Sequence, residues 1–287
     1  MKTNSAKILL AAVFIARGTS FLFSKSLMLE MTPLSVLAVR FIMAFLILVV
    51  VFNKKMRECN KASLIGGIEL GLIYTLCMVL EMYGLRTIDT GVAAVIENMA
   101  IILVPIYVAI WTRVLPKAKT VICAVIAVIG VACLSLTQSS GTQFNYGVLL
   151  AILAALTYGG CILVTDSVSK KGDPLTIGIV QMGTMGVVSL FLALVTGTFA
   201  MPQTGNNWAM ILMLVLVCSC FGFTFQPVAQ KVLPAETAAM FSVMNPLASS
   251  VMGFTIAHES YGALKIIGCV LILVDLIFYN LNSTEES

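Results

Sequence analysis

Charged residues are scarce in this sequence. Asp, Glu, Lys and Arg make up 10% of the 287 residues, whereas 60% are hydrophobic. A soluble domain carries about 25% charged residues, so this chain has too little polar surface to cover itself in water. The composition excludes a soluble globular domain and predicts an integral membrane protein. The net charge of +4 is modest and its basic residues lie at the ends of apolar segments, so no nucleic-acid partner is expected.

The chain is also poor in the residues and motifs that bind metals or nucleotides. Its one histidine, His258, falls at a predicted helix end, where a solvated side chain or a pH sensor is expected. Its eight cysteines fall mostly inside apolar segments, without the spacing of a zinc site or a disulfide framework. Neither a Gly-x-x-x-x-Gly-Lys-Ser/Thr loop nor a Gly-x-Ser-x-Gly elbow occurs. The sequence therefore predicts no metal, no cofactor and no enzymatic activity.

Long apolar segments are abundant, and each is long enough to cross a bilayer as a helix. The sequence predicts an all-α integral membrane fold of ten transmembrane helices, over residues 7–28, 33–52, 63–83, 90–112, 119–137, 146–168, 174–197, 208–230, 235–256 and 261–281. The first segment contains Arg17 and Lys25, so it is interpreted as a transmembrane helix rather than a cleaved signal peptide.

The chain contains an internal repeat. Residues 141 positions apart match at several turn and kink positions: Gly18 with Gly159, Pro33 with Pro174, Leu34 with Leu175, and Pro105 with Pro246. The matches predict two five-helix repeats, residues 1–140 and 141–287. Because five is odd, the second repeat enters the membrane from the opposite side and is inverted. Inverted repeats build secondary transporters, whose substrate sites lie near the membrane midplane between the halves.

The distribution of lysine and arginine predicts the orientation. Most basic residues precede the first helix or follow the second, fourth, sixth and eighth helices, which share one side if ten helices alternate. Short loops rich in lysine and arginine remain in the cytoplasm. We therefore expect a multi-pass protein of the plasma (inner) membrane with both termini in the cytoplasm.

Ionisable residues inside the spans are candidates for function, because a charge near the bilayer centre costs about 2.5–3.5 kcal/mol on insertion scales. Arg17 is the deepest charge, at roughly 15 Å from either surface, and Glu97 is next. We consider two interpretations. Either they line a wet cavity that binds substrate or exchanges protons, or they form a structural ion pair.

Other intramembrane polar residues complete the candidate site. Arg40 can also reach the surface by extending its long side chain, and Lys25 and Glu81 are expected at the outer interface. Pro105 and Pro246 are expected to kink their helices and to free backbone carbonyls. The remaining candidates for substrate binding or coupling are Glu69, Tyr74, Asn98, Tyr158, Gln181 and Asn245.

Several of these motifs resemble a known family. The run Arg17-Gly18-Thr19-Ser20-Phe21, Arg40-Phe41 after Pro33, and Pro105 resemble the first half of the ten-helix drug/metabolite transporter superfamily, EamA type. Tyr158-Gly159, Pro174 with Gln181, Asn245-Pro246, His258-Glu259 and Gly268 resemble its second half. The chain departs from the family pattern at Arg17, where a tryptophan is usual, at His258, where a glycine is usual, and at Ala118, where an acidic residue is usual.

The residues and the resemblance together favour a secondary transporter that works by alternating access. Arginine suits a carboxylate and glutamate suits an amine, so the expected solute is a small polar or amphipathic metabolite such as an amino acid, moved outward. Proton coupling through Glu97 and a homodimer are left open. Two alternatives are also open: a non-transporting membrane scaffold or subunit with a dry core, and a lipid-carrier flippase with a lateral opening.

Overall fold

The regular structure of the protein is helical. A computed structural model describes residues 1–88, 93, 96–135, 146–255 and 263–283, and no strand occurs among them. In chain order the helices are α1 (Thr3–Gly18), α2 (Ser20–Leu27), α3 (Pro33–Val51), α4 (Asn53–Arg57), α5 (Lys61–Leu85), α6 (Ala100–Thr112), α7 (Ala118–Ser135), α8 (Tyr146–Lys171), α9 (Pro174–Val195), α10 (Gly205–Met213), the π-helix π1 (Leu214–Phe223), α11 (Thr224–Gln230), α12 (Ala235–Phe241), α13 (Met244–Thr255) and α14 (Ala263–Ser283).

Six helical segments in the described ranges are long and apolar enough to cross a membrane. They are Thr3–Leu27, Pro33–Val51, Lys61–Leu85, Tyr146–Lys171, Pro174–Val195 and Gly205–Gln230. Shorter apolar helices cover Ile96–Thr112, Ala118–Gly130 and Ile266–Asp275. The all-helical membrane fold is thus confirmed, whereas the count of ten spans stays a prediction. The predicted boundary between the repeats, near residue 140, lies outside the described residues, as do His258 and Glu259.

The second long helix of each half begins with the same cap. The Thr32 side chain accepts a hydrogen bond from the backbone N–H of Ser35 at 3.3 Å, and a proline follows at the first helical position. The carboxylate of Asp173, 141 residues later, accepts from the N–H of Thr176 at 3.0 Å, again with a proline after it. Such caps satisfy N–H groups that a helix leaves free. Both halves of the chain therefore start this helix with the same capping arrangement.

The two halves of the chain are packed into one another. The most extensive helix pairings are α5 with α8, α3 with α9, α5 with α9, and α7 with α14. Each joins a helix before residue 136 to one after residue 145. About half of each long apolar segment is buried by these contacts, and the other half exposes large apolar side chains such as Leu46, Ile65, Leu72, Phe191 and Leu216. That outer surface suits contact with lipid.

Four predicted helices are interrupted. The predicted helix over 208–230 contains π1 in its middle. The predicted helix over 235–256 divides at Ser242 and Val243 into α12 and α13, and the one over 90–112 has a turn at Met99. The predicted helix over 7–28 has a turn at Thr19, between α1 and α2. The second interruption lies just before Pro246, and Pro105 follows the third one within α6. Because a proline has no N–H to donate to the carbonyl four residues earlier, Pro246 leaves the carbonyl of Ser242 without its usual helical donor at the break between α12 and α13.

The matched glycines of the repeat allow helices to approach closely. A Cβ atom on Gly18 of α1 would lie 2.9 Å from Cα of Asn245 in α13. A Cβ atom on Gly159 of α8 would lie 2.9 Å from Cε2 of Tyr107 in α6. Small residues permit this kind of packing in membranes. At Gly18 the obstacle is backbone, which cannot rotate away.

Gly18→Ala should therefore destabilise the fold. We expect a loss of about 1–3 kcal/mol, the usual cost of overpacking, measured by thermal unfolding in detergent. The matched control is Gly205→Ala, because an added Cβ there meets nothing within 4 Å. Equal melting temperatures for the two variants would contradict the close approach of α1 and α13.

Candidate functional site

Arg17 lies at the centre of the bundle inside a group of aromatic rings. The side chain is 5% exposed. Its guanidinium carbon is 4.1 Å from the ring centroid of Phe223, 5.2 Å from that of Tyr158, 5.6 Å from that of Tyr74 and 5.8 Å from that of Phe14. The face of an aromatic ring attracts a cation by up to about 2 kcal/mol when both are desolvated. The rings therefore offset part of the cost of burying this charge.

A chain of side-chain hydrogen bonds holds the guanidinium in place. Nη1 of Arg17 donates to Oε1 of Gln226 at 2.6 Å, and the hydroxyl of Tyr74 donates to the same oxygen at 3.1 Å. Nε2 of Gln226 donates to Oε1 of Gln230 at 2.8 Å. Nε2 of Gln230 in turn donates to the backbone carbonyl of Ile162 at 3.1 Å. The orientation of each amide is thereby set by its neighbour.

The π-helix places Phe223 and Gln226 against Arg17. Thr224, the residue after π1, donates its hydroxyl to the carbonyl of Ser219 at 3.2 Å, and Pro227 cannot donate to the carbonyl of Phe223. Gly222 makes room for the arginine, because a Cβ atom there would lie 2.7 Å from Cγ of Arg17. Helical segments of this type often occur at functional sites.

A small polar cavity adjoins Arg17. Its volume is about 10 Å³, which is room for roughly one water molecule. It lies between α1, α2, α5, π1, α13 and the helical turn that contains Glu97. The lining residues are Arg17, Ser20, Phe21, Met78, Glu81, Glu97, Phe223 and Asn245. The cavity therefore contains a cation and two carboxylates within the membrane-spanning part of the fold.

Glu97 and Asn245 reach this cavity from two of the interrupted helices. Glu97 comes just before the turn at Met99, and Asn245 just after the break at Ser242 and Val243. Glu97 is 6% exposed and its Oε2 atom has no hydrogen-bond partner. Asn245 is 3% exposed and its Oδ1 atom has none either. Two buried acceptor atoms thus lack a hydrogen-bond donor. Each unpaired acceptor lowers the stability of the fold by about 1–3 kcal/mol.

The ion pair between Arg17 and Glu97 that the second interpretation requires is not formed. Arg17 directs Nη1 to the amide oxygen of Gln226 instead, and Oε2 of Glu97 is unpaired. The two charged groups nevertheless line the same cavity. Their arrangement thus fits the first interpretation, that of a polar cavity.

Arg40 does not extend to the surface, and that expectation is wrong. Its side chain is fully buried between α3 and π1. Nε donates to the hydroxyl of Ser219 at 2.7 Å, and the guanidinium carbon lies 5.0 Å from the ring of Phe41 and 5.5 Å from that of Phe223. Nη1 and Nη2 have no hydrogen-bond partner. This second buried guanidinium therefore keeps two free donor groups.

The structure brings six of the nine predicted binding or coupling residues together. Arg17, Glu97 and Asn245 line the cavity. Tyr74 and Tyr158 surround Arg17, and Arg40 shares the ring of Phe223 with it. The other three lie elsewhere: Asn98 and Gln181 are buried but do not line the cavity, and Glu69 is exposed on α5.

Two residues of the site were missed by the sequence reasoning. Glu81 was expected at the interface, but it lines the cavity. Its position follows from Tyr74 and Met78, because steps of four and three residues lie on one face of a helix. Gln226 was not among the predicted site residues. Its contact with Arg17 depends on π1, for which the sequence carries no simple periodic signal.

Replacing Gln226 by leucine should test the network around Arg17. The variant leaves a buried guanidinium and a buried tyrosine hydroxyl without their acceptor, so we expect a stability loss of about 1.5–3 kcal/mol, measured by thermal unfolding in detergent. The matched control is Gln203→Leu, because Gln203 is exposed on the loop before α10. A loss no larger than in the control would show that the hydrogen bond is unimportant.

Comparison with known proteins identifies the family of this chain. An uncharacterized transporter from Archaeoglobus fulgidus is 21% identical over 280 residues, which is 96% of each chain. A solved crystal structure of a protein superposes with a TM-score of 0.80 at 14% identity and covers 99% of both chains, which shows a common fold. The model of the EamA-like transporter family matches twice, at residues 4–136 and 145–281. Two successive matches over nearly the whole length show that this multi-pass membrane protein belongs to the EamA-like transporter family.

Proposed function

We propose that this transporter is a secondary carrier that exports a small polar or amphipathic metabolite, of the amino-acid type, by alternating access. The observation that carries the proposal is the buried cavity that combines Arg17 with Glu81 and Glu97. Charges at this depth are costly, and in membrane proteins they mark substrate and ion pathways. A solute with both a positive and a negative group fits a site of mixed charge.

The size of the cavity supports a mechanism with moving helices. A space of about 10 Å³ does not admit an amino acid, so helices must separate before a solute enters. The interrupted helices next to Glu97 and Asn245 offer places for such a change, because discontinuous helices commonly form transporter sites at the midplane. The structure corresponds in this proposal to a closed state between the two open ones.

Polar contacts between the two halves occur at both ends of the bundle. At one end the hydroxyls of Thr32 and Ser35 donate to the carbonyl of Thr198, at 3.0 and 2.9 Å, and the N–H of Ala200 donates to Ser35 at 3.0 Å. Thr32, Thr198 and Ala200 lie in loops, and Ser35 in the first turn of α3, on the side that the sequence places outside. A second contact joins Glu30 to Asn207 at the same end. We call the group formed by Thr32, Ser35, Thr198 and Ala200 the outer contact.

The inner contact, between Ser63 and Asp173, lies at the opposite end. The N–H of Asp173 donates to the hydroxyl of Ser63 at 2.8 Å. Partial burial raises the pKa of Asp173, but hydrogen bonds from Thr176 outweigh this effect and hold the pKa below its ordinary value. Asp173 lies in a loop and Ser63 in the first turn of α5, both on the side predicted to be cytoplasmic. Residues assigned to one side of the membrane thus touch each other, which supports the alternation of the helices and, with the basic loops, cytoplasmic termini.

The division into inverted repeats, residues 1–140 and 141–287, belongs to the same proposal. Its support is the equal spacing of caps and glycines in the two halves and the presence of three long apolar helices in each. The excess of lysine and arginine in loops on one side supports insertion in the inner membrane. Export is the proposed direction, and it is tested by uptake into inside-out vesicles.

Glu97→Gln tests proton coupling. If the Glu97 carboxyl carries the coupling proton, the variant should lose stimulation of leucine or phenylalanine transport by an imposed proton gradient, while exchange of solute for solute is retained. The assay is transport into proteoliposomes, with Glu58→Gln as control, because Glu58 is exposed in a loop. Gradient-driven transport at the wild-type rate would exclude Glu97 from coupling.

Ser35→Ala and Ser63→Ala test alternating access. Ser63→Ala removes the one hydrogen bond of the inner contact, and Ser35→Ala removes two of the outer contact. Each bond is worth about 0.5–1.5 kcal/mol, so the populations of the open states should shift in opposite directions, by about two- to tenfold for Ser63→Ala and by more for Ser35→Ala. The readout is labelling of Ser20→Cys in the cavity by an impermeant maleimide from outside. Ser35→Ala should accelerate the labelling and Ser63→Ala should slow it.

The control for these two variants is Thr157→Ala, because the hydroxyl of Thr157 bonds only within its own helix. Labelling of the protein without the Ser20→Cys change gives the background of the native cysteines. Shifts in the same direction for both serine variants would contradict a mechanism that opens the two ends in turn.

A further inference from the structure

The connection between α6 and α7 carries large apolar side chains that are almost fully exposed. Trp111, in the last turn of α6, is 90% exposed, and Leu115 in the connection is 88% exposed. Val114 lies between them and is exposed as well. We call these three side chains the apolar patch. Unlike the exposed side chains along the long spans, they lie at the end of a helix, and such a patch indicates contact with a membrane or a partner.

The backbone gives this segment a defined turn. Arg113 has a φ of 58°, in the left-handed region, and α6 ends there. A residue in this conformation turns the chain away from the axis of the preceding helix. The hydroxyl of Thr112 donates to the carbonyl of Val108 at 2.8 Å and accepts from the N–H of Val114 at 3.4 Å. The apolar patch therefore surrounds a fixed turn at the end of α6.

The charges next to the apolar patch are positive. Arg113 and Lys117 are exposed in the connection, and Nζ of Lys119 lies 5.7 Å from the ring centroid of Phe278 in α14. From residue 98 to residue 165 the sequence contains these three basic residues and no acidic one. Every charge that this helical hairpin itself carries is thus a cation.

A carboxyl group on the neighbouring helix does not change this balance at the surface. Asp275 of α14 faces Cys123 of α7 and is 1% exposed. It lies beneath the surface, whereas Arg113 and Lys117 are exposed on it. The surface around the apolar patch is therefore basic.

An anionic phospholipid has both properties that this surface requires. Its phosphate accepts paired hydrogen bonds from a guanidinium, and its acyl chains can cover a tryptophan ring and a leucine. Tryptophan is enriched where a membrane meets water, and basic segments next to spans are attracted to anionic headgroups. A free phosphate ion or a nucleic acid would leave Trp111 and Leu115 in water.

The short helix α4 provides a contrast on the same predicted side of the membrane. Its Lys54 and Arg57 are exposed, but its one large apolar residue, Met56, is half-buried. Basic charge without an apolar patch supplies attraction to the membrane surface but no contact with acyl chains. The combination of the two belongs to the connection after α6.

We propose that the connection between α6 and α7 binds an anionic phospholipid, whose phosphate is held by Arg113 beside Lys117 and whose acyl chains cover Trp111 and Leu115. None of these residues lines the cavity beside Arg17, so the site does not depend on which solute is carried. Because the chain reaches α6 directly after Glu97, the lipid would hold at the membrane surface the far end of a helix that starts beside the cavity.

Trp111 can report on its own surroundings by fluorescence. The chain has two tryptophans, so Trp208→Phe leaves Trp111 alone. The full-length variant is reconstituted in phosphatidylcholine vesicles that contain either phosphatidylglycerol or phosphatidylcholine with brominated acyl chains, because bromine quenches tryptophan on contact. At equal fractions, brominated phosphatidylglycerol should quench Trp111 more strongly than brominated phosphatidylcholine.

Arg113→Gln in the same background tests the phosphate contact. The preference for phosphatidylglycerol over phosphatidylcholine should fall by about fivefold, the effect of one basic residue near a membrane surface, while quenching by phosphatidylcholine is retained. The matched control is Arg57→Gln, which removes the same charge from α4 and should leave the preference unchanged. An equal fall in both variants would show a general surface attraction instead of a site, and the proposal would be wrong.

Three further outcomes would also overturn the proposal. The first is equal quenching by the two brominated lipids. The second is no quenching by either lipid together with the emission of a tryptophan in water, which would leave the patch to a soluble partner such as an acidic peptide. The third is loss of the lipid preference when inorganic phosphate replaces chloride at constant ionic strength, because a free phosphate ion would then be the ligand.

A second variant keeps the test valid if Trp208→Phe does not fold. Trp111→Phe retains only Trp208, which lies in α10. Subtracting its signal from that of the unchanged protein in the same vesicles gives the quenching of Trp111. The difference should show the same preference for phosphatidylglycerol.

Discussion

The central constraint on this structure is the burial of the Arg17 guanidinium inside a membrane-spanning bundle. An arginine cannot give up its charge in a protein, so its surroundings must compensate for the lost water. Here four aromatic rings and the oxygen of Gln226 do so from α1, α5, α8, π1 and α11. These helices belong to both halves of the chain. The compensation of one charge therefore contributes to holding the two halves together.

The internal repeat has a physical basis that extends beyond helix count. Gly18 and Gly159 both allow a helix to approach an interrupted neighbour, and Thr32 and Asp173 both cap the second long helix of their half. The two halves carry different residues at matched positions in the polar centre of the bundle. Arg17 corresponds to Tyr158 at the 141-residue offset, and these two side chains meet in the middle of the bundle. The two equivalent positions thus carry different side chains, a cation and an aromatic ring, that belong to the same cluster.

Much of the fold could be predicted from composition and spacing, but the orientation of side chains could not. Hydropathy identified the long helices, and Pro33 and Pro174 identified two helix starts correctly. The depth of Arg17 and Glu97 indicated the polar interior. Arg40 was misplaced because α3 is apolar around its whole circumference, so the sequence contains no amphipathic pattern that indicates which face is buried. Glu81 was misplaced because distance from a helix end was used without regard to the face shared with Tyr74 and Met78.

The length of the π-helix determines which residues face the cavity. A π-helix accommodates more residues per turn than an α-helix. The segment from Leu214 to Phe223 therefore determines the direction, around the helix axis, in which the residues after it point. Phe223 and Gln226 face Arg17 only with that extra rotation. Loss of a single residue within this segment would turn the wall of the cavity away from the arginine while the flanking spans keep their lengths. Insertions and deletions, usually harmful inside membrane helices, would here offer a route by which a related transporter acquires a different ligand.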